Sequence, residues 1–169
     1  MMILEIFMKH VISVLVENKA GVLARIAGMF SGRGFNIDSL AVGETHDPTT
    51  SRMTIVLRGN DQQIEQIEKQ LNKLIDVIKV LDLSAGEYID RELLMIKVTA
   101  SSKSRSEILQ IVDIFHATIV DISAQTVTIE LSGDDTQVDS FLEMMVPFGI
   151  KEIVRTGKIA LAREGRLKE

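Results

Sequence analysis

Residues 17–37, ENKAGVLARIAGMFSGRGFNI, set a helix between two glycine-bearing corners. Leu23, Ile26, Ala27 and Phe30 recur at i, i+3, i+4 and i+7, the spacing that aligns side chains on one helix face, so these four are expected to point into a core. The helix runs out at Gly32-Arg33-Gly34, where glycine takes the left-handed C-terminal conformation without steric cost, and Phe35-Asn36-Ile37 returns to extended chain. A helix start carries unpaired N–H groups and about half a positive charge, which suits a small anion such as a carboxylate, and Gly21 lets a ligand come close to the backbone. Gly21 can equally serve only to shape a strand-to-helix turn, with Asn18 hydrogen-bonding its own backbone. From spacing alone that turn-only reading is preferred.

Working outward, Val11–Glu17 alternates Ile12, Val14 and Val16 against Val11, Ser13, Leu15 and Glu17, the period of a strand. After the helix, residues 36–45 read as a second strand, His46-Asp47-Pro48-Thr49-Thr50 as a turn, and Ser51–Gly59 as the return strand. The return strand sets Met53, Ile55 and Leu57 on one face and Arg52, Thr54, Val56 and Arg58 on the other, so helices are expected on the first face only. Asn60 with Gln63 makes a capping box for a helix whose stripe is Ile64, Ile67, Leu71 and Leu74, and Val77–Leu83 closes the unit as a fourth strand. The order βαββαβ is a ferredoxin-like split βαβ unit over residues 8–84.

Residues 85–92 are polar and read as a linker, and the order then repeats over residues 93–169. Leu93–Thr99 is a strand. Ser104 with Glu107 reads as a capping box, followed by the stripe Ile108, Ile111, Val112 and Phe115. Two short strands over residues 117–122 and 126–131 come next, then a helix marked by Val138, Phe141, Leu142 and Met145, ended with the help of Pro147 before a strand near residues 150–155. The fold class is thus α/β (α+β), two ferredoxin-like domains in tandem. The copies differ at their corners: residues 99–105, TASSKSR, hold no glycine, and His116-Ala117-Thr118 lacks the asparagine, so only the first copy carries the candidate corner.

Apolar residues make up 46% and charged residues 25% of the 169, an ordinary globular balance. The net charge of −5, with no basic cluster, argues against general attraction to nucleic acid or anionic membrane. Without cysteine there is no disulfide, thiolate ligand or cysteine nucleophile. The start, MMILEIFMKH, is too short an apolar run to span a bilayer, and a cytoplasmic protein is expected. The regular pattern begins after Met8, a candidate start that leaves residues 1–7 as an extension or loose arm. His10, His46 and His116 are spaced unlike metal ligands and read as surface or boundary residues. Gly28, Gly32 and Gly34 end a helix, whereas a dinucleotide fingerprint opens one. Asp134-Asp135 suits the start of the last helix through its dipole. The residues show no nucleophile paired with a base.

The segments LVENKAGVLARIAGMFSGRGFNIDSLAVG, DPTTSRMTIVLRG and QIEKQLNKLIDVIKV resemble the regulatory (small) subunit of acetolactate synthase, a likeness that runs from Lys9 to the end and is densest in the first half. The resemblance implies that the first half is an ACT domain that binds amino acids. It implies a homodimer through the ACT domains, with valine or another branched-chain amino acid between them, meeting Asn18 and the backbone of Ala20, Gly21 and Val22 in one chain and Asn36 with Ile37 in the other. Ala20 stands where many ACT domains carry proline. The implied partner is the large catalytic subunit, on which thiamine diphosphate, Mg and FAD are expected, this chain binding no cofactor and acting as a non-catalytic activator and mediator of feedback inhibition. The exposed Asp47-Pro48-Thr49 turn is a candidate contact with that subunit. The alternative is a stand-alone ACT-type amino-acid sensor acting on another target.

Overall fold

Strand periodicity, two capping boxes and glycine corners build the elements of the protein, whose computed structural model describes residues 8–164; the reading of residues 1–7 lies outside the described residues. In the first unit β1 (Met8–Glu17), α1 (Val22–Gly32), β2 (Ile37–Glu44), β3 (Thr50–Gly59), α2 (Asp61–Asn72) and β4 (Val77–Asp82) follow in the expected order. The sheet order is β2-β3-β1-β4, all neighbours antiparallel, which leaves β2 at an edge.

One face of this sheet carries the helices. Ile12, Val14, Val16, Met53, Ile55 and Leu57 pack there with Val22, Ile26, Met29 and Phe30 of α1 and Ile64, Ile67 and Leu71 of α2. Full burial of a side chain such as Phe30 contributes about 2–3 kcal/mol by removing apolar area from water. The buried face of α1 is turned from the one expected: Leu23 is 44% exposed and Ala27 half-buried, while Val22 and Met29 are buried. The helix begins one residue earlier than that stripe, at Val22, directly after Gly21 at φ 85°, so the face that meets the sheet is i, i+4, i+7 and i+8 from Val22. Gly34, at φ 72°, takes the left-handed turn after the helix.

The opposite face is not left to solvent. Val11 and Val56 are buried against Leu83, in a short 3-10 turn after β4, and against Ala160 of β9 (Ile159–Ala162), with Leu81, Tyr88 and Ala162 beside them. Thr54, assigned to a polar face, is 3% exposed. The unit takes in the chain to Ile89 and again from Lys158. Lys158 N–H donates to Ser39 Oγ at 3.0 Å, and Arg163 N–H to Glu87 O at 2.9 Å. No periodic signal in the sequence marks this return of the tail.

The second unit spans Asp90–Gly157. It runs from β5 (Tyr88–Thr99), which starts inside the stretch read as a linker, through α3 (Arg105–Ile114), β6 (Thr118–Ile122), β7 (Thr126–Gly133) and α4 (Asp135–Met145) to β8 (Ile150–Arg155). Its sheet order, β6-β7-β5-β8, repeats the first, and Leu94, Ile96, Val98, Ile108, Val127, Ile129, Val138 and Phe141 form its core. Glu92, 5% exposed, is paired with Arg155, whose Nη2 donates to Oε2 at 2.9 Å; that bond holds the guanidinium charged even more firmly than usual. Among the described residues no helix is long and apolar enough to cross a membrane.

Candidate functional site

The corner between β1 and α1 is formed by three backbone decisions. Glu17 N–H donates to Asp76 O, Asn18 N–H to Thr49 O, and Gly21 then turns the chain through positive φ into α1. No side chain caps the start of α1 and its first turn holds no acidic residue, so its positive end is left uncompensated by the helix itself. Arg25 lies alongside, ion-paired to the buried carboxylate of Asp76; a Cβ on Gly21 would sit 3.3 Å from Arg25 Nη1. The corner is therefore open, positively polarised and edged by guanidinium, which favours a carboxylate.

Asn18 is held by both its amide hydrogens, one on Glu44 Oε2 at 3.1 Å and one on Pro48 O at 3.0 Å. Its Oδ1 takes no hydrogen among the described residues, so it remains an acceptor for an ammonium group. The β2–β3 turn that supplies Pro48 is itself ordered by Asp47, whose Oδ1 accepts from Thr49 Oγ1 at 2.7 Å and Thr49 N at 2.9 Å; these bonds hold its carboxyl below the usual range.

The six residues named from the sequence fall into two groups. Asn18, Ala20, Gly21 and Val22 share the corner. Ile37 opens β2 at its far end and Asn36 directly precedes it; there Ile37 pairs with Leu57 and Leu57 with His10. At about 3.3 Å per residue, Asn36 is roughly 25 Å along the strand from Glu44. There it borders an open depression with Ala27, Phe30 and Phe35, and its Nδ2 lies 3.5 Å from Asp38 Oδ1. One chain does not bring the two groups together.

In the second unit the equivalent corner is filled. Arg105 Nη2 donates to the carbonyls of Ala100, Ser123 and Ala124, at 3.2, 2.7 and 2.9 Å. The expected Ser104–Glu107 capping box is absent: Ser104 is already in helical conformation and exchanges bonds with Ser101 instead, Ser101 N to Ser104 Oγ at 3.1 Å and Ser104 N to Ser101 Oγ at 3.2 Å. Asp134 does cap α4, accepting from Gln137 N at 2.9 Å, with Asp135 in the first turn. His10, read as a surface or boundary residue, is 5% exposed because β1 extends back to Met8 and α2 and β4 close around it.

Tandem ferredoxin-like units, of which only the first keeps an open glycine corner, define an ACT-type regulatory protein. Family models agree: an "AHAS small subunit-like ACT domain" matches residues 12–79 and a "small subunit of acetolactate synthase" matches residues 91–164. The chain is 54% identical over 158 residues to a probable acetolactate synthase small subunit of Methanothermobacter thermautotrophicus, covering 93% of this chain and 94% of that one. It is 51% identical over 162 residues to the acetolactate synthase small subunit of Aquifex aeolicus, covering 95% and 84%. The crystal structure of the small subunit from Thermotoga maritima superposes with a TM-score of 0.83 at 40% identity, over 92% of this chain and 98% of that one. The chain belongs to the acetolactate synthase small subunit family.

Proposed function

We propose that the protein binds the large, catalytic subunit of acetolactate synthase, raises its activity and transmits feedback inhibition by valine. The catalytic subunit carries thiamine diphosphate, Mg and FAD; this chain contributes a sensor. Valine sits between the ACT units of two copies, its carboxylate on the N–H groups from Ala20 to Val22 and its ammonium on Asn18 Oδ1.

The observation that carries this reading is the separation of the site into halves along an edge strand. If two copies join β2 to β2 in antiparallel fashion, the start of one strand lies beside the end of the other. Asn36 and Ile37 of one copy then reach the Glu44 end of the second copy, where Asn18 stands. A site completed only by dimerisation couples effector binding to assembly, and through assembly to the catalytic subunit, as a linkage free energy.

Reconstitution tests it. The full chain is mixed with an acetolactate synthase catalytic subunit and acetolactate formation from pyruvate is followed with and without valine. Activation by the chain, reversed by valine, is the expected result. An unchanged rate in both conditions overturns the proposal.

A further inference from the structure

Arg25 is held at two points in the first unit. Its N–H donates to Gly21 O at 3.0 Å, which sets it one helical turn beyond the corner, and side chains on a helix lean back toward its start. Its guanidinium is then caught by Asp76, in the turn between α2 and β4, through Nη2 and Oδ2. Asp76 is itself well anchored: its side chain is 11% exposed and its carbonyl accepts from Glu17 N–H at 2.8 Å. One acidic residue thus joins both walls of the corner.

That ion pair uses one edge of the guanidinium. Nη1 makes no hydrogen bond among the described residues, and it lies 3.3 Å from the point where a Cβ on Gly21 would stand. Gly21 leaves that point empty, so an oxygen resting on this side of its backbone faces Nη1. Lys19, another cation of the corner, is exposed and bonded to Glu17. We infer that Arg25 Nη1 binds the α-carboxylate of the effector directly, with Asp76 as the residue that positions it. The inference rests on the reading of the Gly21 corner as the effector site and adds a requirement on the ligand, a free carboxylate. The carboxylate does not displace Asp76, because a planar guanidinium offers five N–H donors in a fixed fork and can serve one anion at each edge. The uncapped start of α1 adds positive potential for the second anion.

The test is a two-by-two comparison by calorimetry on the full chain, valine against valinamide and native against Arg25→Gln. Valinamide keeps the ammonium and isopropyl groups and lacks the negative charge. The native chain is expected to bind valine at least tenfold more tightly than valinamide, and Arg25→Gln to shrink that preference about tenfold, the effect of one charged hydrogen bond. If Arg25 only props the corner, both ligands weaken alike and the preference stays, which overturns the inference. Arg25→Gln leaves the buried Asp76 without its partner, so a double variant with Asp76→Asn, which removes both charges, is measured beside it. The preference should remain reduced there; its return to the native value also overturns the inference. A native chain that binds no valine fails the effector-site reading and this inference with it, whereas native valine binding with an unmoved preference fails this inference alone.

Discussion

Asn18 Nδ2 donates to Glu44 Oε2 across 3.1 Å, so one side chain ties the end of β1 to the end of the edge strand β2. The exposed bonds it makes contribute about 1 kcal/mol to stability, less than a contact to a charged ligand would contribute to binding. Asn18→Ala is expected to lower unfolding free energy by about 1 kcal/mol and valine affinity by more than tenfold. Denaturant titration and calorimetry on the same variant separate the two effects; affinity unchanged beside lost stability removes Asn18 from the site.

Gly21 has φ 85°, where a Cβ costs about 1–2 kcal/mol. Gly21→Ala and Gly21→Asp are expected to lose similar stability, because both bear that strain beside the flexible end of Arg25. Only the aspartate places an anion where the effector carboxylate binds, so valine affinity falls much further in Gly21→Asp. Equal affinities in the two variants would show that backbone shape, and not charge, sets binding there.

Val42 on β2 is 45% exposed in one chain, and Leu40 beside it packs on the first core. A β2-to-β2 dimer brings Val42 near the pairing edge, and Val42→Asp sets two like charges there, opposing association. Sedimentation is expected to show a dimer at micromolar concentration for the native chain and a larger monomer fraction for the variant. A native chain that sediments as a monomer counts against the shared effector site.

A fragment of residues 8–84 keeps the corner and β2, so it is expected to dimerise and to bind valine. It loses Tyr88, Ala160 and Ala162 from above Val11 and Val56 and therefore exposes part of a buried cluster. Its unfolding midpoint should fall well below that of the full chain, with increased binding of a hydrophobic dye. Adding back residues 158–164 is expected to leave valine affinity unchanged while raising the unfolding midpoint. A fragment of the second unit, whose corner is filled by Arg105, should bind no valine.

Glu68 has a folded-state carboxyl pKa raised by desolvation and by Asp82. An acid with a raised folded pKa opposes folding while it is ionised in both states, and that opposition fades as pH falls through the folded pKa. Glu68→Gln is thus expected to stabilise the chain near neutral pH, by under about 1 kcal/mol because solvent still screens this half-buried position, and to lose this advantage below the ordinary carboxylate value of 4.5. Melting curves from pH 4 to 8 check the sign; a gain that grows on acidification contradicts it.

Much of the protein was legible in one dimension because the signals are local. Alternation at Ile12, Val14 and Val16, the Asn60–Gln63 capping box and the glycine at Gly34 each need only neighbouring residues, and each forms its element as read. The repeat of that order gave the tandem ferredoxin-like architecture, and the family segments around Gly21 pointed to the corner. Three features depended on tertiary structure. The face of α1 that meets the sheet was decided by where Gly21 starts the helix. The cover over Val11 and Val56 comes from Leu83 and from a tail far along the chain, a pairing that no local period encodes. His10 became buried beside Asp82 because two strands distant in sequence are neighbours in the sheet, and burial with an unsatisfied Nε2 is a property of packing, absent from any linear pattern.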